Sequence, residues 1–357
     1  MAAPSVFPQG GEAQVSNVRV KVAPRIMNLR LKRHPTVKNE KKLMSKSSGS
    51  SPASVSGDGT PERLPPIGFI LLAILSLFWG LNWPVMKMAL SEIPPWTFRT
   101  LCLGFGGLGL LAIAKANGLS LAIPKGEIKP LLLVSLLNVT GWHIFSAHGL
   151  VYMKAGRASI IAFTMPLWAA ILGSLILDER LTKRRIFGLF LGITGLTILI
   201  GPDIKTLGAA PAGAVFMLGA AISWAIGTVT IKYFHWKMST SLLTGWQMTL
   251  GGLPVVIGAL ILEPVTVIFH LSSQSILALV YVILLPIIFC QWAWFKVVDI
   301  FPATLAAIGT LIIPIIGVFS SALVLGEPIG LQELAALGLV VIALAIVMIR
   351  PAGIRQK

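Results

Sequence analysis

Charged side chains are scarce in this sequence: they make up 12% of the 357 residues, and the 13 acidic ones are outnumbered by 29 basic ones. With a mean hydropathy of +0.85, that scarcity excludes a chain whose whole surface faces water. Cysteine is rarer still. Cys102 and Cys290 both fall inside apolar runs, where a thiol packs as a small hydrophobe, so neither a disulfide framework nor a metal site is expected. The apolar part also lacks paired carboxylates and any nucleophile beside a base. The two histidines that lie inside a span, His143 and His148, have no acidic neighbour in sequence, so neither catalysis nor a cofactor is expected. The charge rings or repeated filter of a channel are missing, as are the alternating ten-residue runs of a membrane β-barrel.

What the sequence does have is apolar length. A hydrocarbon core of about 30 Å needs roughly 20 apolar residues per helical crossing. Ten such spans follow one another: 67–89, 96–114, 130–152, 156–177, 185–201, 211–232, 241–262, 274–298, 303–325 and 331–349. Short connections separate them, marked by Pro94-Pro95, Gly118, Gly201-Pro202, Glu263-Pro264 and Gly326-Glu327-Pro328. The expected fold is all-α integral membrane, with ten transmembrane helices. Residues 1–66 contain no run long enough to cross, and 45–66 are dense in Ser, Gly and Pro. This segment is expected to be a disordered, basic cytoplasmic tail. A transit peptide, or a start at Met27 or Met44, are the other readings.

The formal charge of +16 is divided between that tail, with eleven Lys+Arg against four Asp+Glu in residues 1–64, and the remainder, with eighteen against nine. Basic loops beside apolar helices are orientation signals before they are a nucleic-acid footprint. If the tail is cytoplasmic, the loops on its side hold most of the cations, including Lys115, Lys125, Lys129, Lys183, Arg184, Arg185, Lys232 and Lys237. The other side holds chiefly Lys154, Arg157 and Lys205, with Lys87 and Arg99 near helix ends. Both termini are thus expected in the cytoplasm, in a multi-pass protein of the bacterial inner membrane.

An internal repeat organises the spans. Trp79 and Lys87 are spaced like Trp224 and Lys232, and Pro166 precedes Glu179 as Pro314 precedes Glu327. The offset is 145 residues in the first helix of each half and 148 by the fourth. A three-residue difference after the first helix would reconcile the two offsets. The repeats are 67–202 and 211–350, five helices each. Because five is odd, the second half enters the membrane from the opposite side. Inverted repeats suit a carrier, which opens a central site to one face and then the other.

Polar side chains inside spans are costly in hydrocarbon and are site candidates by default. His143 lies roughly 20 Å along the third span and Gln291 roughly 22 Å along the eighth, and they match under the 148 offset. Asn82, with Trp79 on the same helix, offers an amide beside an indole for an organic solute, although Trp79 and Trp224 would also serve as helix wedges. Asn138 and Trp168 complete the expected substrate-binding set, with Thr164, Trp246, Trp292 and Trp294 as further candidates for cavity lining. Pro166 and Pro314, which free backbone carbonyls in mid-helix, are expected to act in gating. His148 and Lys296, nearer opposite faces, are expected to act with them, although Lys296 would equally snorkel to headgroups. Lys87, Arg99 and Arg157 are expected at headgroup level, as anchors or as a cationic mouth.

Phe78-Trp79-Gly80-Leu81-Asn82 with Lys87, Ala155-Gly156-Arg157-Ala158-Ser159, Asp178-Glu179-Arg180-Leu181-Thr182, Ser223-Trp224-Ala225, Thr244-Gly245-Trp246-Gln247 and Leu325-Gly326-Glu327-Pro328 resemble the EamA-type transporters of the drug/metabolite transporter superfamily. The resemblance covers residues 67–350, and the long basic tail departs from it. It implies a ten-helix carrier with cytoplasmic termini and a central cavity lined mainly by helices 1, 3, 4, 6, 8 and 9. The cargo it implies is amino acids, other metabolites or toxic compounds, often moved outward. The expected function is export or exchange of a small metabolite by alternating access. The alternatives are an organophosphate or nucleotide-sugar exchanger, which would need deep cations, and a non-transporting membrane receptor. Expected partners are the small-molecule substrate and the lipid bilayer, with a coupling proton and a homodimer as open candidates and no nucleic acid.

Overall fold

The computed structural model describes residues 65–348 apart from 180, 206–208 and 302. The expectation for the tail therefore lies outside the described residues. Within them the chain is helical and forms ten crossings: α1 (Pro66–Ala89), α2 (Pro95–Ala116), α3 (Ile128–Tyr152), α4 (Ala155–Ile176), α5 (Lys183–Lys205), α6 (Ala209–Tyr233), α7 (Thr240–Leu262), α8 (Ser273–Ile300), α9 (Ala303–Thr310 continued by Ile312–Leu325) and α10 (Leu331–Met348). The starts follow local chemistry. Pro66 and Pro95 open α1 and α2, where a missing N–H costs nothing. Ser239 and Ser272 cap α7 and α8 through their hydroxyls. At its far end α9 stops on Gly326, whose φ of 66° favours a residue without Cβ.

The chain is an all-α integral membrane protein of two inverted five-helix repeats. Large apolar residues such as Leu323, Leu331 and Ile261 are more than 70% exposed, which suits lipid rather than water. The packing follows a two-fold pattern: α1 lies on α8 and α9, α6 lies on α3 and α4, and α2 with α7, α5 with α10 and α4 with α9 pair across the halves. Each half thus places its first helix in the other half's third and fourth. Lipid gives no hydrophobic drive between helices, so close contact of small residues carries this packing. Gly107 lies against the backbone of Thr249, Gly317 against Ser159 and Trp83.

The repeat extends to irregularities that the sequence pattern does not reveal. A π-helical turn at Ser135–Gly141 in α3 recurs at Ile283–Phe289 in α8, 148 residues on. A break at Phe163–Thr164 in α4 recurs at Leu311 in α9. The offset is still 145 across α2 and α7, which start at Pro95 and Thr240. The three-residue difference therefore falls after the second helix of each half, not the first. It lies at the start of the third helix, where the stretch before the π turn is seven residues long in Ile128–Val134 and ten in Ser273–Val282.

Candidate functional site

The π turns place the candidate site. Each widens its helix by one residue, a device frequent at functional positions, and each is bonded to the first helix of the other half. Ser223 Oγ donates to Leu137 O at 2.6 Å, Asn138 Nδ2 donates to Trp224 O at 3.2 Å, and Trp79 Nε1 donates to Pro286 O at 3.1 Å. Asn138 and Trp79, expected to bind substrate, thus spend their N–H donors on helix contacts. Gly227 packs directly on Asn138, and Trp79 packs on Trp294 at 6.0 Å. Trp168 donates to Thr164 Oγ1 one turn back at 3.1 Å.

His143 and Gln291 occupy equivalent places, each the second residue after a π turn. His143 is buried, and its Nδ1 lies 2.8 Å from Val139 O. A carbonyl only accepts, so Nδ1 carries the proton and Nε2 is the acceptor of the neutral ring. Gln291 is half-buried. The structure gathers His143 and Asn82 with a residue read from sequence as a headgroup anchor. Arg99 is only 3% exposed. Its guanidinium turns inward from α2, donating through Nε to His143 O at 3.1 Å and through one terminal nitrogen to Ser146 Oγ at 3.0 Å. That nitrogen also meets Met86 Sδ at 3.4 Å, and Asn82 Nδ2 reaches the same sulfur at 3.4 Å. Position within a span suggested the interface for Arg99, because sequence gives depth along a helix but not the direction of a long side chain. Ser146 and His143, three residues apart and hence on one face of α3, are the signal that would have pointed inward.

The expected gating residues divide. Pro166 stands at the start of the second segment of α4, and Pro314 is buried early in the second segment of α9, so both follow the symmetric breaks. His148 bonds Ile144 O at 2.9 Å and sits between the rings of Trp96 and Phe216. Lys296 is exposed, as is Asp299, an arrangement that suits snorkelling to headgroups.

Polar groups at the two faces are equivalent in sequence but bonded differently. On the face away from the ends of the bundle, Lys87 Nζ donates to the carbonyls of Leu150, Val151 and Met153 at 2.6, 3.0 and 3.1 Å. These are the orphan carbonyls of α3, favourable for a cation. Glu327 accepts from Ala155 N and Gly156 N at 2.7 and 3.0 Å, closing the start of α4. An open cavity of about 330 Å³ lies between Lys87, Tyr152, Lys154 and Glu327. On the face that carries α1's start and α10's end, Lys232 instead donates to Glu179 Oε1 at 3.2 Å, and Arg185 lies 3.6 Å from the other oxygen. The Lys232 side chain there is 59% exposed.

The EamA-like transporter family model matches residues 66–201 and again 211–349. An uncharacterized transporter of Bacillus subtilis, YvbV, is 31% identical over 78% of this chain and 90% of its own length. A probable amino-acid metabolite efflux pump of Salmonella typhimurium is 28% identical over 78% and 93%. A WAT1-related chloroplastic protein of Arabidopsis thaliana is 33% identical over 57% of this chain and 51% of its own. One solved crystal structure, 18% identical, shares the fold with a TM-score of 0.56 over 77% of this chain and 94% of that one. With the model matched once in each inverted half, on the helices whose packing carries the two-fold pattern, this chain belongs to the EamA-like transporter family.

Proposed function

We propose that the chain is a secondary-active carrier that exports or exchanges a small metabolite, such as an amino acid or drug-like solute, by alternating access. The observation that supports this is the inequality of its two faces. Lys87 and Lys232 are equivalent, as are Glu327 and Glu179. The first pair closes the α3–α4 junction, while the second pair is bonded to each other and exposed. The same ligatures, engaged at one face and released at the other, are what a two-state carrier needs. The helix crossings agree. A Cβ on Gly213 of α6 would meet the backbone of Tyr152 and Gly149 at 3.2 and 3.3 Å, whereas the nearest atoms to one on Gly68 of α1 belong to the side chains of Phe301 and Ile300.

In this reading both ends of the bundle lie in the cytoplasm, on the cation-rich side, and the engaged face is external. The membrane is a bacterial inner membrane. An organelle membrane, with residues 1–66 as a transit segment, is the second reading, supported by that segment's basic, Ser-containing composition and by the chloroplastic relative. Sequencing the mature amino terminus separates the two.

Counterflow into proteoliposomes, with amino acids, nucleosides and phosphate esters as labelled solutes, tests the carrier. Saturable uptake of an amino acid or drug-like solute that requires the same solute inside is expected. Flux confined to phosphate esters would favour the exchanger alternative. Binding without any flux would leave a receptor.

A further inference from the structure

Arg99 is a buried cation with no anion. Among the described residues no carboxylate lies within ion-pair distance of it. Its partners are a carbonyl, a hydroxyl and a thioether, and the Phe98 ring lies 5.1 Å from its central carbon. Neutral partners offset part of the desolvation of a guanidinium but leave its charge uncompensated, an arrangement that is costly in a membrane and marks function where it persists. Its bonds use Nε and one terminal nitrogen, and the second terminal nitrogen has no protein partner. Thioether sulfur is a weak acceptor. A ligand oxygen replacing Met86 Sδ and a second oxygen on the unused nitrogen would complete a two-point fork of the kind that guanidinium forms with carboxylate.

A second orphan lies beside it. Asn82 Oδ1 is buried without a hydrogen-bond partner, while the nitrogen of the same amide rests on the Met86 sulfur that Arg99 also touches. An unpaired buried acceptor is costly unless something donates to it. The two unsatisfied groups have opposite needs, an anion for Arg99 and an N–H donor for Asn82, and they share one sulfur atom between them.

We infer that Arg99 and Asn82 form the anchoring site for cargo, taking a small organic carboxylate whose neighbouring carbon carries an ammonium or other N–H donor. Arg99 holds the carboxylate and Asn82 Oδ1 accepts from the amine, while the rest of the ligand is left to apolar surroundings. A Lys at position 99 would keep the charge but lose the fork. This inference rests on the carrier reading only for the word cargo, since binding is measured without transport.

The test uses the purified full chain in detergent and its thermal unfolding midpoint, which a ligand of the native state raises. The probes are L-alanine, L-leucine and L-phenylalanine, each beside the amine that lacks its carboxylate and the acid that lacks its amine. In at least one series the amino acid should stabilise most, the acid less and the amine not at all. Asn82→Ala should bring the amino acid down to the level of the acid. Arg99→Met should abolish the ligand shift while leaving the ligand-free midpoint unchanged or higher, because an uncompensated charge has been removed. Arg99→Lys keeps the charge for folding and should weaken binding at least about tenfold, the loss of one charge-assisted bond.

The site is overturned by equal stabilisation by the amine, by wild-type affinity in Arg99→Lys with a normal shift in Arg99→Met, or by no stabilisation by any of the nine compounds. A lower ligand-free midpoint in Arg99→Met with an intact ligand shift would make Arg99 a helix-packing residue and also remove it. Arg99-dependent binding without flux would keep the site and remove the carrier; flux indifferent to Arg99 would do the reverse.

Discussion

Single side chains in this protein are judged by what remains for them after packing. Trp79 Nε1 and Asn138 Nδ2 are bonded to the backbone of the opposite half, so exchange of these residues should first be felt as looser helices. His143 retains Nε2, and Asn82 retains Oδ1. His143→Ala is therefore expected to lower flux at least about tenfold, the worth of one buried hydrogen bond, without loss of membrane insertion. Counterflow beside a membrane-fraction immunoblot checks it, and unchanged flux would remove His143 from the site. Outside the membrane, Glu92 gives a pH signature. Its carboxylate accepts from both the amide and the hydroxyl of Ser272 at 2.8 and 2.7 Å, and these bonds hold its pKa below the ordinary carboxylate value. A depressed acid stabilises the fold above its unfolded pKa and loses that contribution as pH falls through its folded one. The unfolding midpoints of wild type and Glu92→Gln should thus differ modestly at neutral pH and converge below about pH 4. A difference that persists in acid would mean the contact does not depend on charge.

Along whole helices, small residues decide how near two spans can come. Gly149 in α3 faces the backbone nitrogen of Met217 at 3.1 Å and Gly213 O at 3.2 Å, measured from where a Cβ would stand. The equivalent residue in α8 is Val297. A Val cannot approach a facing backbone as a glycine can, so the crossing of α3 on α6 closes more tightly than that of α8 on α1. Gly149→Val is expected to prise the first crossing open and to cost stability by overpacking, typically about 1–3 kcal/mol. Much of this architecture is legible in the sequence. The spans, the repeat and the breaks near Pro166 and Pro314 follow from apolar length and from proline, which act locally. The π turns do not, because Ser135–Gly141 and Ile283–Phe289 share only a Leu-Leu pair of a kind found in other spans too; they are bonded by Ser223 and Trp79, both far away in sequence. The inward turn of Arg99 is not legible for the same reason. Its partners His143 and Ser146 lie on another helix, and only tertiary contact turns its side chain inward.

For the molecule as a whole, the carrier proposed above would have two conformations, which the inverted halves would relate by exchanging the roles of Lys87 with Lys232 and of Glu327 with Glu179. The free-energy terms at each face can be ranked. Glu327 makes two charge-assisted bonds to amides at a helix start, worth about 1.5–3 kcal/mol each. Glu179 now makes exposed ion pairs, worth about 0–1 kcal/mol. Removing either carboxylate charge should therefore cost most in the conformation where that residue caps a helix. Met217 is fully buried at the α3–α6 crossing, so Met217→Cys, in a chain with Cys102 and Cys290 changed to Ala, reports opening of that face through its rate of maleimide alkylation. Glu327→Gln should raise the rate about tenfold, the shift for one such bond. Glu179→Gln should lower it, because the opposite conformation loses its cap. If the two act on one equilibrium their effects oppose, and the double variant should return toward the parent rate. Equal alkylation in all four proteins would mean that neither glutamate governs the exchange. A double variant as fast as Glu327→Gln would mean that the two faces open independently, which an inverted-repeat carrier cannot allow.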